Sequence, residues 1–123
     1  MAKILIVDDD PDVAELAKLA LGKAGHEVAS ASNREEGHQA IGVFNPDLLI
    51  LDVMMEQPDD GIAMAQQLRQ DDFKKPILMM TAIGKVTGMG FGKDEDMVPV
   101  DAFCEKPVAP DVLVNKVNEL LQK

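Results

Sequence analysis

The sequence contains no tryptophan and no tyrosine, and its 123 residues include only four phenylalanines and a single cysteine. Cys104 alone excludes an internal disulfide and any metal site built from several thiolates. A lone cysteine is compatible with a reducing, cytoplasmic setting. Basic residues are scarce as well, with 12 Lys and Arg against 22 Asp and Glu and a formal net charge of −10. This balance disfavours direct contact with nucleic acid or an anionic membrane, since both are polyanions. It suits a protein that binds a cation or a basic partner surface. No apolar run approaches the roughly 20 residues of a membrane span, and the opening MAKILIVDDD lacks the layout of a signal peptide. There is no internal repeat and no long low-complexity tract. What remains is a chain that is 46% hydrophobic, which predicts one domain over residues 1–123 with a core of its own.

The stretch that organises the chain is DLLILDVMM, residues 47–55. Leu48 to Leu51 run without interruption into Asp52. A short apolar run bounded by turn residues fits a strand buried on both faces, with Asn45-Pro46 before it and Pro58-Asp-Asp-Gly61 after it. Strands are also expected at residues 3–7 and 76–80, which are similar apolar runs, and at 26–31 and 102–105. Helical spacing fills the intervals between them. Asp10-Pro11 opens a helix with Val13, Leu16, Ala17, Ala20 and Leu21 on its apolar face. Ser32-Asn-Arg-Glu35 has the form of a capping box and predicts a helix over 33–43. Residues 61–70 and a segment starting at Ala109-Pro110, with Leu113, Val117, Leu120 and Leu121, complete the pattern. Strand and helix alternate five times, which predicts a parallel α/β sheet covered on both faces. The expected fold is flavodoxin-like, (βα)5 and doubly wound, with strand order 2-1-3-4-5.

That order gathers one set of side chains at the C-terminal edge of the sheet, where ligands bind in open α/β folds. The first strand delivers Asp8 and Asp9, the third Asp52, the fourth Thr81 and the fifth Lys106. Read alone, Asp52 is a turn residue, Lys106 a surface lysine and Phe103 plain core; read together, the five positions suggest chemistry. Crowded carboxylates need a cation to remain ionised, and an all-oxygen set suits Mg2+. A lysine offers a point charge to a phosphoryl oxygen, and Asp52 has the chemistry of an aspartyl-phosphate nucleophile. Asp10 is assigned to the helix cap, and Cys104 to a buried strand.

The set VDD (7–9), LDVMM (51–55), MTA (80–82) and EKP (105–107), in this order and at strand ends, resembles the receiver domain of two-component response regulators over the whole chain. The resemblance implies that Asp52 is the phosphoacceptor, and that Asp8, Asp9, Asp52 and the Met54 backbone carbonyl hold Mg2+. It implies that Thr81 binds the phosphoryl group, that Lys106 pairs with it, and that Phe103 is the aromatic switch answering to Thr81. It implies a sensor histidine kinase or phosphotransfer protein as donor, a downstream partner or effector domain as recipient, and a phosphorylation-dependent dimer in some members. Such a protein assists its own phosphotransfer without being a turnover enzyme. Met54 and Ile83, apolar at positions that tune hydrolysis in the family, imply slow self-dephosphorylation.

Two departures from the family pattern stand out. Glu56 occupies a position where the family has proline, and Gly61 falls one residue late, which implies an insertion beside the metal site. Between Thr81 and Lys106 the chain is longer than usual and carries Gly84, Gly88, Gly90 and Gly92, each costing a helix interior about 1 kcal/mol relative to alanine. The fourth helix of the family is therefore expected to be short, displaced or disordered here, with one turn at residues 93–97, and to order on phosphorylation or on a partner. Both a stand-alone regulator and part of a longer protein fit the sequence. A receiver-shaped adaptor that is never phosphorylated is the main alternative, motivated by Glu56. An aspartyl-nucleophile phosphohydrolase is remote, because Pro11-Asp12 follows the acidic cluster where a Thr or Val is needed. A flavin carrier on this fold is disfavoured by an acidic loop where a phosphate would sit.

Overall fold

A computed structural model describes residues 2–52, 60–82, 100–106 and 109–122. In chain order the elements are β1 (Lys3–Val7), α1 (Pro11–Lys23), β2 (Glu27–Ala31), α2 (Arg34–Phe44), β3 (Leu48–Asp52), α3 (Asp60–Gln70), β4 (Ile77–Ala82), β5 (Ala102–Lys106) and α4 (Pro110–Leu121). The five strands form one parallel sheet in the order β2-β1-β3-β4-β5. This is the flavodoxin-like order that the alternation of elements predicts. The segment expected to contain an aberrant helix, 84–98, lies outside the described residues, as do Met54, Glu56, Ile83 and Pro107.

The strands read as unbroken apolar runs because helices cover both faces of the sheet. Ile4, Leu5, Ile6 and Val7 of β1 and Leu48 through Leu51 of β3 are fully buried. On one face Ile4, Ile6, Ile50, Leu78 and Cys104 pack against Ala14, Ala17 and Leu21 of α1 and Leu113, Val117 and Leu120 of α4. On the other, Leu5, Val7, Leu49, Leu51 and Met79 pack against Met64, Ala65 and Leu68 of α3, with Ala40, Ile41 and Phe44 of α2 at the margin. Each buried aliphatic side chain contributes about 1.5–3 kcal/mol. Among the described residues, no helix is long and apolar enough to cross a membrane.

Helix ends follow local chemistry with two corrections. Asp10 caps α1 by accepting the Asp12 N–H at 3.0 Å, and Pro11 stands in the first turn. The helix ends at Ala24, and Gly25 takes φ 96° to turn the chain into β2, a left-handed conformation that favours glycine. At α2 the cap is Asn33 rather than Ser32. Asn33 Oδ1 accepts the Glu36 N–H at 2.8 Å, while the Glu36 carboxylate accepts the Ser32 N–H at 3.0 Å and its hydroxyl at 2.8 Å. The cap thus falls one residue later than the S-x-x-E reading places it, because Asn is as good an N-cap as Ser, and the Glu36 carboxylate reaches back past the cap to Ser32. The second correction concerns Leu16, read as core and in fact 58% exposed. Ala14, Ala17 and Leu21, spaced i, i+3 and i+7, form the buried stripe of α1 instead, and Leu16 lies more than a quarter turn of the helix away from it.

Candidate functional site

The C-terminal edge of the sheet is built by β1 and β3, neighbours with Val7 opposite Leu51. One residue further along each strand stand Asp8 and Asp52. The Asp8 backbone N–H donates to Ala31 O at 3.0 Å, which fastens the end of β1 to β2. One oxygen of its carboxylate accepts the Asp10 N–H at 2.9 Å, so the loop that caps α1 also orients Asp8. Asp9 follows on the exposed rim.

Oxygens of Asp8, Asp9 and Asp52 lie within 4.8 Å of one another. Asp8 is 2% and Asp52 5% exposed, and they are the buried charged residues among those described. Two buried carboxylates and one at the surface, this close together, repel strongly in a medium of reduced dielectric. A bound cation relieves that repulsion, and an all-carboxylate donor set favours a hard divalent ion. The site can therefore hold a metal ion, by the chemistry of its donors. Asp10, assigned by sequence to the helix cap, does cap α1 and is not part of this cluster.

The remaining sequence-predicted positions fall on neighbouring strands. Asp52 pairs in register with Met80, and Met80 with Cys104. Thr81 is therefore one residue beyond the Asp52 level on β4, opposite Glu105, and Lys106 ends β5 opposite Ala82. Phe103, opposite Met79, is half-buried and packs against the face occupied by α2 and α3. The backbone thus brings the ends of β1, β3, β4 and β5 to one edge. Met54, the fourth predicted metal ligand, lies outside the described residues.

Sequence reasoning missed two features around this edge. Gly37 of α2 is buried directly against Val7 and Met64; a Cβ there would meet Val7 Cγ2 at 2.9 Å and Met64 Cε at 2.8 Å. Only a glycine on the inner face of α2 hinted at so close an approach. The second is Arg69 at the end of α3. Its guanidinium donates to Phe73 O at 2.7 Å, Lys75 O at 3.0 Å and Asp101 Oδ2 at 3.0 Å, while Asp101 Oδ2 also accepts the Ile77 N–H at 2.8 Å. This clamp fixes the starts of β4 and β5 together. Elsewhere, burial pushes the Cys104 thiol above its usual range, as expected for a strand cysteine.

A family model described as the response regulator receiver domain matches residues 4–118. The alkaline phosphatase synthesis transcriptional regulatory protein PhoP of Bacillus subtilis is 36% identical over 125 residues, covering 98% of this chain and 49% of that protein. The phosphate regulon transcriptional regulatory protein PhoB of Pseudomonas aeruginosa is 34% identical, covering 98% of this chain and 52% of that protein. The chain spans about half the length of these curated relatives. Among solved structures, that of a putative response regulator from Chloroflexus aurantiacus superimposes with a TM-score of 0.87 at 37% identity, covering 99% of this chain and 98% of that one.

Proposed function

The chain belongs to the response regulator receiver family, and from that premise we propose that residues 1–123 form a phosphorylation switch whose acceptor is Asp52. The observation that carries the reading is the convergence of Asp8, Asp9 and Asp52 within 4.8 Å at the end of a buried central strand.

In the proposed step, a carboxylate oxygen of Asp52 forms a bond to the phosphorus of a phosphohistidine. The P–N bond breaks, and its electron pair stays on the imidazole nitrogen, which takes up a proton. Asp52 is positioned for this by β3, which is hydrogen-bonded on both sides and cannot drift. Asp8, held by the Asp10 N–H, and Asp9 would hold Mg2+ together with Asp52 and the Met54 carbonyl. When bound, Mg2+ neutralises charge on the acceptor and on the transferring group. Thr81 at the end of β4 donates its hydroxyl to a phosphoryl oxygen, and Lys106 at the end of β5 supplies the second positive charge. Phe103, three residues before Lys106 on β5, passes the change to the surface. The protein is a phosphoacceptor that assists its own modification, not a turnover enzyme.

The donor is a sensor histidine kinase or a phosphotransfer protein in the cytoplasm, and the recipient is a protein partner or effector domain, with a phosphorylation-dependent dimer as one form of output. The two curated relatives are named transcriptional regulators. For the 123 residues themselves, a net charge of −10 argues against direct nucleic-acid contact.

The test is incubation with acetyl phosphate, with and without Mg2+, read by intact mass, with Asp52→Asn as control. A single phosphate adduct that requires Mg2+ and disappears in the variant is expected. No adduct under any condition would replace this reading with a receiver-shaped adaptor that works by binding alone. Met54 and Ile83 beside the acceptor and Thr81 lead us to expect slow loss of the phosphoryl group; a half-life of seconds in Mg2+ buffer would refute that expectation.

A further inference from the structure

At the end of the sheet opposite Asp52, His26 stands in the turn between α1 and β2. Its backbone N–H donates to Leu21 O at 3.1 Å, which fixes the residue to the end of α1. Its ring joins two further elements. Nδ1 accepts the Ala2 backbone N–H at 3.2 Å, and Nε2 lies 2.9 Å from Asn118 Oδ1 on α4. Because Nδ1 is an acceptor, the neutral ring carries its proton on Nε2 and donates it to Asn118. The imidazole thereby bridges the start of β1 and the last helix, over a separation of 92 residues on the helix side.

A second proton has one place to go, Nδ1, where it faces the Ala2 N–H. Donor then meets donor and that bond is lost, while the bond to Asn118 persists and strengthens. Two charged residues from other parts of the chain, Asp47 and Lys75, line the space beside the ring. A cavity of about 570 Å3 beside it is lined by Asp47 before β3 and Lys75 before β4, along with Leu120 and Leu121 of α4. The Asp47 carboxylate is engaged by the Lys3 N–H at 2.9 Å. Glu27, the next residue along the chain, stands opposite Lys3 in the β1–β2 register. The Lys3 ammonium itself lies over the Phe44 ring of α2, 5.7 Å from its centroid, and the open cavity gives water and protons access to the His26 ring.

We propose that His26 is a proton-operated latch between the N-terminal end of β1 and α4. Neutral, it couples the two; protonated, it stays with α4 and lets Ala2 go. Histidine is the side chain whose ordinary titration spans cellular pH. Since α4 follows β5, the latch gives acidity a route to the face formed by α1 and α4 that does not pass through Asp52.

The test uses the unphosphorylated full chain and needs no phosphodonor, so its outcome is independent of the switch proposed above. The His26 ring, the Ala2 amide and the Asn118 side-chain amide are followed by NMR from pH 8 to pH 5, and Ala2 exchange is measured at both ends. All three signals are expected to share one midpoint. Ala2 protection, corrected for intrinsic exchange, should fall by about threefold to tenfold on acidification, the range for one intramolecular hydrogen bond. His26→Gln, which can accept from Ala2 and donate to Asn118 but cannot titrate, should abolish the pH dependence with His38 left in place. Asn118→Asp, which places a carboxylate on Nε2–H, should move the His26 midpoint upward. The proposal is overturned if Ala2 and Asn118 do not follow the ring, if His26→Gln retains the wild-type profile, or if Asn118→Asp leaves the midpoint where it was.

Discussion

Replacing Gly37 with alanine sets two effects against each other, and the structure decides which wins. In a helix interior alanine is favoured over glycine by about 1 kcal/mol. Against that, the new Cβ would lie 2.9 Å and 3.2 Å from the two γ-methyls of Val7 and 2.8 Å from Met64 Cε. Met64 contacts the site through the far end of a flexible side chain and can rotate away. Val7 cannot, because it is β-branched, fully buried and part of β1, hydrogen-bonded to both β2 and β3. Overpacking against a rigid neighbour costs about 1–3 kcal/mol. We therefore expect Gly37→Ala to lower unfolding stability by about 1 kcal/mol net, the difference between those two ranges. Urea denaturation of Gly37→Ala, Val7→Ala and the double variant measures it as a double-mutant cycle. In the Val7→Ala background the methyls are gone, and the same glycine substitution should become stabilising. A stabilising Gly37→Ala in the wild-type background, or a destabilisation that persists without Val7, would refute the reasoning. Because Asp8 follows Val7 directly, a shift of β1 in the single variant should also weaken Mg2+ binding.

Arg69→Ala removes donors to two carbonyls and to Asp101 and should cost about 1–3 kcal/mol, with most of it from the carbonyls since the ion pair is part-exposed; a loss below the error of chemical denaturation would sink this view of the clamp. His38 has its pKa lowered by burial and then by Arg34, so the folded state resists protonation that the unfolded state accepts. Its contribution is complete above about 6.5, the ordinary histidine value, and is lost as pH falls below it, and His38→Gln should reduce the fall in stability over that range. Burial raises the Cys104 pKa above 9.0, so the unfolded thiol ionises first and stability declines as pH rises past that value; native Cys104 should also react with iodoacetamide far more slowly than in urea, and equal rates would contradict its burial. Mg2+ should raise the Tm of the wild type, and Asp9→Asn should reduce the rise, as scanning calorimetry would show.

The sheet was legible because its inner strands β1, β3 and β4 are covered on both sides and so appear as continuous apolar runs, with Asp52 marking where burial ends, whereas the edge strand β2, EVASA, carries a weaker signal. The site was legible for the same reason: Asp8 and Asp52 are the first charged residues after two such runs, and strand order alone brings those ends together. Finer placement was less accessible. Ser32 and Asn33 are both good caps, and only the reciprocal bond from Glu36 selects Asn33. Leu16 and Leu21 share an apolar character, and which of the apolar positions of α1 turn toward the sheet, Ala14, Ala17 and Leu21 but not Leu16, is set by how the helix docks. The bonds of His26 to Ala2 and Asn118, and of Arg69 to Asp101, join residues with no periodic relation, so nothing in the local pattern announces them.

The apolar interior is divided by the sheet into two layers with no buried residue in common, one with α1 and α4 and one with α2 and α3. Both layers end at the same row of acids, yet neither depends on the other for its side-chain fit. Alternate residues of β1 and β3 enter each layer, Ile6 and Ile50 on one side and Val7 and Leu51 on the other, so a substitution in the helices of one face alters side-chain fit on that face while both strands stay anchored from the other. The acidic edge at the ends of β1 and β3 is thereby braced twice, and a change in one helical layer leaves it held by the other.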